Sequence, residues 1–230
     1  MITKYSDSSK TITKRKSISK YLPIILVFVF SSSLFAKPIS IPFELYNNHI
    51  YLKTQVNGKG TYYFLFDSGA GSSGSIIDGS VAETLNLPVK GYVNANLVGG
   101  SKGIAYTEDV KFSVRELIFD EKKAAFLPLK EQEKEEGHQV DGIFGYSLIK
   151  SYVIEVDYPR RIITFYNLEE YRKPKNAKVI RLLNINENKV PVIQGEILTA
   201  GKKKINFMLT VDTGYDGNFL LGRKFVEENK

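Results

Sequence analysis

At 230 residues, 43% hydrophobic and 25% charged, the chain has the composition of an ordinary globular protein and not of a disordered one. Its formal charge of +7 would suit a nucleic-acid partner, but residues 1–36 hold six Lys/Arg against the single acid Asp7. Removing those five net charges (7 − 5 = 2) leaves the remainder near +2, too little to argue for nucleic acid. The absence of cysteine excludes disulfides, thiolate metal sites, a cysteine nucleophile and cysteine lipidation.

Residues 1–36 read as a signal peptide. Lys14 to Lys20 form a basic region, Leu22 to Phe30 an apolar run too short for a membrane span of roughly 20 residues, and Ser31 to Ala36 a stretch rich in small residues before a cut. Export to the periplasm or the extracellular space follows, with membrane attachment only if the leader stays uncleaved.

From Pro38 the chain reads as short strands and turns. Pro38 to Leu45 suits an extended edge segment. Ile50 to Val56 and Thr61 to Phe66 make a hairpin around Asn57-Gly58. Ser80 to Leu87 predicts a short helix capped by Ser80, with Pro88 just past its end. Gly99-Gly100 and Gly103 mark turns, and Val110–Val114 and Ala124–Leu127 are strand candidates. Glu131 to His138 carries charge without an apolar period and reads as a solvated loop. Tyr152–Asp157 and Ile162–Tyr166 are strands joined by a turn through Pro159. The fold class is therefore all-β with one or two short helices.

Pro174 to Lys178 looks like a linker, and beyond it the pattern restarts. Lys189–Ile193 and Glu196–Leu198 lead through a turn at Ala200-Gly201 into the apolar run Ile205–Val211, which ends at Asp212-Thr213-Gly214. The earlier pass runs the same way, from Asn57-Gly58 through Tyr62–Phe66 into Asp67-Ser68-Gly69. A short helix candidate follows each tripeptide, the second at Gly222 to Glu228. This is an internal repeat of a half-domain.

An Asp at the end of an apolar strand needs a reason, because stripping water from an unpaired carboxylate is costly. The following Ser or Thr supplies a hydroxyl for hydrogen bonding, and the Gly admits a second backbone at close range. Two such sites face to face would form a carboxylate pair. Two carboxylates about 3 Å apart cannot both ionise and so share a proton. The charged member can take a proton from water while the neutral one protonates a carbonyl, with no metal or other cofactor. His49 and His138, 89 residues apart, read as surface or loop histidines and give no support to a His-based triad or a zinc site. Gly69 to Gly74 lacks the Lys-[Ser/Thr] ending of a phosphate loop and reads as a flexible turn.

A third segment, Asp141 to Ile149, gives the pattern a family likeness. Together with Asp67-Ser68-Gly69, its Ile143-Phe144-Gly145 resembles the apolar-apolar-Gly segment of the retropepsin-like and pepsin-like aspartic proteases, and Tyr152 to Tyr166 resembles the closing strands of bacterial members. The resemblance spans roughly Ile41 to Tyr166. It implies an acid-protease barrel, with one complete lobe over 37–173 and the start of a related second lobe over 174–230. It also implies Asp67 and Asp212 as catalytic carboxylates, with Ser68, Gly69, Thr213 and Gly214 supporting their loops. Gly99-Gly100 falls where such domains place a flap. The implied activity is an exported aspartic endopeptidase acting on a peptide or protein substrate. The alternatives are a homodimer using Asp67 from each chain and a non-catalytic peptide-binding module on the same fold. The second pattern departs from the family in lacking a later apolar-apolar-Gly segment, since the sequence ends 18 residues beyond Asp212 (230 − 212), and this suggests a truncated second lobe.

Overall fold

The computed structural model describes residues 37–71, 74–97, 100–183, 189–199 and 201–228. The leader over 1–36, Gly99 and the predicted turn at Ala200 lie outside them.

The chain first alternates short strands with turns, as period-two burial requires. Strands β1 (Ile39–Pro42) and β2 (Glu44–Tyr46) precede β3 (His49–Val56) and β4 (Lys59–Phe66). Asn57 and Gly58, at φ 51° and 71°, form the two-residue turn between β3 and β4, a conformation that matches strand twist and favours Asn-Gly. Next come β5 (Ser75–Asp78), α1 (Gly79–Thr84), β6 (Gly91–Leu97), β7 (Gly100–Val114), β8 (Leu117–Leu127), α2 (Lys130–Glu136), β9 (Gly142–Phe144) and α3 (Tyr146–Ser151). The closing strands are β10 (Val153–Asp157) and β11 (Ile162–Tyr166).

One sheet has the order β2-β3-β4-β9-β5-β8-β7-β6, and β3 also pairs with β7 through Gln55↔Ser113 and Val56↔Phe112. That pairing closes β3, β4, β9, β5, β8 and β7 into a barrel, which leaves those strands without free edges. The barrel and the all-β class agree with the sequence reading. Phe64, Phe112 and Phe144 are fully buried, with Phe64 stacked on Phe144 at 4.5 Å and Phe112 edge-on to Phe144 at 5.2 Å. A second sheet, β1-β11-β10, joins the start of the described chain to Ile162–Tyr166. The remaining strands, β12 (Leu182–Leu183), β13 (Val192–Leu198) and β14 (Lys204–Thr210), form a third antiparallel sheet, followed by α4 (Arg223–Glu228). Residues 35–230 belong to one compact unit. Among the described residues, no helix is long and apolar enough to cross a membrane.

Four local expectations need correction. The cap of α1 is Asp78 and not Ser80, because Asp78 Oδ1 accepts from the Ser80 N–H at 3.0 Å and also from the Ser80 hydroxyl. The charged run at Glu131 is helix α2, which buries none of its side chains and so has no apolar period. It forms from strong helix formers, a Lys130–Glu133 pair, and Gly137 at φ 70° closing its C-terminus. Gly103 lies inside β7, which with β8 extends far beyond the predicted segments as a long ribbon with exposed charges. His49 is 2% exposed and not a surface residue, with Nδ1 at 2.9 Å from Glu136 Oε2.

Asp78 is also buried, and its Oδ2 accepts from the Leu129 N–H at 2.7 Å, tying α1 to the segment before α2. Asp78→Ala leaves that buried donor unmet and removes the cap, so a loss of about 2–4 kcal/mol is expected. Urea denaturation reads this directly, and an unchanged midpoint would contradict the role.

Candidate active site

Asp67 follows β4, and its position is fixed by the strand beside it. In β9, Ile143 and Phe144 pair in parallel with Leu65 and Phe66, and the Asp67 N–H donates to the Phe144 carbonyl at 2.8 Å. Apolar residues at 143 and 144 are required because β9 runs through the core; Ile143 is 7% exposed and Phe144 fully buried. Gly145 is required by space, since a Cβ there would stand 2.0 Å from the Ala70 carbonyl oxygen. The Tyr146 N–H donates to that same carbonyl at 3.1 Å. Ile143-Phe144-Gly145 thus carries one side of the Asp67 loop.

The other side is Asp212-Thr213-Gly214, which follows β14 after Val211. The two tripeptides interlock reciprocally. The Ser68 N–H donates to Thr213 Oγ1 and the Thr213 N–H donates to Ser68 Oγ, both at 3.0 Å. The Ser68 hydroxyl donates to the Val211 carbonyl at 2.7 Å, and the Thr213 hydroxyl to the Phe66 carbonyl at 2.8 Å. Each hydroxyl therefore accepts from the opposite loop's backbone and donates to the residue ahead of the opposite Asp. The glycines stand against the facing carboxyls. A Cβ on Gly69 would lie 2.5 Å from Asp212 Oδ2, and one on Gly214 would lie 2.4 Å from Asp67 Cγ. These residues lie 145 positions apart in sequence, and the structure brings them together in one chain.

Within each loop the carboxyl is held by its own backbone. Asp67 Oδ1 accepts from the Gly69 N–H at 2.7 Å and the Ala70 N–H at 3.0 Å, and Asp212 Oδ1 accepts from the Gly214 N–H at 2.8 Å. Asp67 is pushed up to about 7 from 3.8, first by burial, then by the Asp212 charge and the hydrogen bond between the two carboxyls; its two backbone donors oppose this only in part. With Asp67 Oδ1 engaged by N–H groups, Oδ2 is the oxygen left free to carry a proton. Such a pair can hold a water, accept its proton at one carboxylate and donate from the other. Among the described residues no group of His, Cys, Asp or Glu is arranged to hold a metal ion.

The sequence reading missed several polar residues that shape this region. Asp141 is 2% exposed; its Oδ2 accepts from the Tyr63 N–H at 2.8 Å and from Gln139 Nε2 at 2.7 Å, and so anchors the start of β9 to β4. Glu121 is also buried, and Ser75 Oγ donates to its Oε2 at 2.8 Å across 46 residues. Only the Asp-Gly pair at 141–142 left a local trace in the sequence. His49 and His138 pack around Tyr51.

Residues 52–148 match the family described as aspartyl protease. No curated protein matches the chain. Among solved structures, a retropepsin-like aspartic protease from Rickettsia conorii aligns at 18% identity over 56% of this chain and 91% of its own, with a TM-score of 0.38.

Proposed function

With residues 52–148 matching the aspartyl protease family, we propose that the protein is an aspartic endopeptidase whose dyad is Asp67 and Asp212 of a single chain. The observation that carries this reading is the reciprocal lock of Ser68 and Thr213, which sets each loop's glycine against the other loop's carboxyl. In the working state the pair holds one proton, carried by Asp67. Asp212 takes a proton from a water between them as the oxygen attacks the peptide carbonyl carbon, and Asp67 Oδ2 gives its proton to the carbonyl oxygen. The tetrahedral intermediate then collapses: the C–N bond breaks, the amine leaves with the proton held by Asp212, and one hydroxyl of the intermediate returns its proton to Asp67 as the new carboxyl group forms. An extended peptide would lie under the β6–β7 hairpin and pair with it by its backbone.

The raised value of Asp67 sets a pH limit. One shared proton is needed, so kcat/KM should fall as pH rises through about 7, where the pair loses it. Hydrolysis of a quenched fluorescent peptide by the full chain from pH 3 to 9 tests both claims. Activity with an upper limb near 7 is expected, and activity that climbs steadily to pH 9 would exclude a proton-sharing dyad.

A further inference from the structure

A cavity of about 310 Å³ has a wall that includes Gly71, Gly74, Asn94, Tyr106, Tyr146 and Ser147. Gly71 lies four residues after Asp67, Tyr146 follows the Gly145 that presses on Ala70, and Asn94 and Tyr106 belong to the β6–β7 hairpin. A substrate side chain next to the scissile bond would enter here.

Among the described residues, the one carboxylate lining this cavity is Glu121. Its side chain is 92% buried (8% exposed), and its Oε2 is taken by the Ser75 hydroxyl at 2.8 Å, which Ser147 Oγ supports at 3.3 Å. Its Oε1 faces Gly74, where a Cβ would stand 3.4 Å from that oxygen and 2.8 Å from the Lys123 carbonyl oxygen, so only glycine fits beside the carboxylate. Among the described residues no cation stands within ion-pair distance of Glu121. Four lysines also border the cavity, and all are exposed. Lys122 pairs with Asp109 at 2.8 Å, Lys123 lies over the Tyr106 ring at 4.4 Å, and Lys189 over the Tyr146 ring at 5.7 Å; Lys150 borders the cavity from α3. The lysines are solvent-exposed, where their charges are screened, whereas Glu121 is buried in the cavity wall. A buried carboxylate is stabilised by a cation that reaches it.

We infer that Glu121 is a specificity-determining residue that selects a basic side chain, Lys or Arg, at a substrate position beside the scissile bond. The inference rests on the peptidase reading for its position but not for its chemistry. The aliphatic stem of such a side chain would pass Tyr106 and Tyr146, and its charged head would meet Oε1.

The test uses peptides identical except for Arg, norleucine or Glu at one position, scanned across the cleft. Both cleavage and equilibrium binding by fluorescence anisotropy are measured for the full chain, Glu121→Gln and Glu121→Asp. At one position Arg should exceed norleucine by about tenfold or more. Glu121→Gln should bring the Arg-to-norleucine ratio near one, and Glu121→Asp should keep part of the preference. Matching thermal midpoints exclude a folding defect. A Glu preference, or an Arg preference that persists in Glu121→Gln, overturns the inference. If no peptide is cut but Arg peptides bind in a Glu121-dependent way, the peptidase reading fails and the pocket assignment stands; if neither cleavage nor binding distinguishes Arg, the pocket assignment fails.

Discussion

Asp67→Asn and Asp212→Asn should each lower kcat/KM for peptide hydrolysis by about 10³-fold or more, the scale of losing a positioned acid or base. The two variants remove different functions. Asn at 67 cannot supply the proton that Asp67 Oδ2 gives to the carbonyl, and Asn at 212 cannot take a proton from water. Both substitutions keep the side-chain size that faces Gly214 and Gly69, so the interlocked loops should persist and the melting temperature should change little. The comparison also separates the single-chain dyad from a homodimer built on two copies of Asp67. Activity that survives Asp212→Asn in a protein sedimenting as a dimer would refute the single-chain assignment. Loss in both variants, at a rate per molecule independent of protein concentration, is the expected result.

Gly145→Ala should be the most damaging change outside the carboxyls. Its Cβ would stand 2.0 Å from the Ala70 carbonyl oxygen and 2.9 Å from the Ala70 Cβ. The oxygen belongs to the backbone and cannot rotate away, so the Asp67 loop or β9 must shift. Overpacking of this kind costs about 1–3 kcal/mol and more where the neighbour is rigid. The shift also pulls on the Tyr146 N–H to Ala70 bond and, through Phe144, on the Asp67 N–H. Stability and activity should therefore fall together, with at least a tenfold loss in kcat/KM at a temperature where the variant is still folded. Gly103→Ala is the matching control, since nothing lies within 4 Å of a Cβ there. A Gly145→Ala protein with the parent's denaturation midpoint would show that the close approach to Ala70 is not real.

Much of this arrangement was legible because its signals are local. Asp67 and Asp212 each end an apolar strand and are followed by a small hydroxyl residue and a glycine, and each of those neighbours has a job that depends on its type. Ser68 and Thr213 donate and accept across the interface, and Gly69 and Gly214 make room for the opposite carboxyl. The Asn57-Gly58 turn was equally plain, because two successive positive φ angles suit few other residue pairs.

What escaped the sequence depends on partners far apart in the chain. Glu121 looks like one more charge in a polar stretch until the parallel pairing of β5 with β8 brings Ser75 to it. Asp78 and Asp141 become anchors only when folding delivers the Leu129 and Tyr63 N–H groups. The helix at Lys130–Glu136 escaped for the opposite reason, since it packs no side chain into the core and only its propensities and Gly137 mark it. His49 read as a surface residue because nothing near it in sequence announces Glu136, 87 positions away.

The central claim is that Asp67 and Asp212 of one chain share a proton, and carboxyl-carbon NMR titration tests it without a substrate. In the parent protein Asp67 should titrate near 7. In Asp212→Asn it should fall, yet stay above 3.8, because burial is the largest of the causes that raise it and remains. An Asp67 that titrates near 4 in both proteins would contradict the shared proton and the face-to-face loops with it.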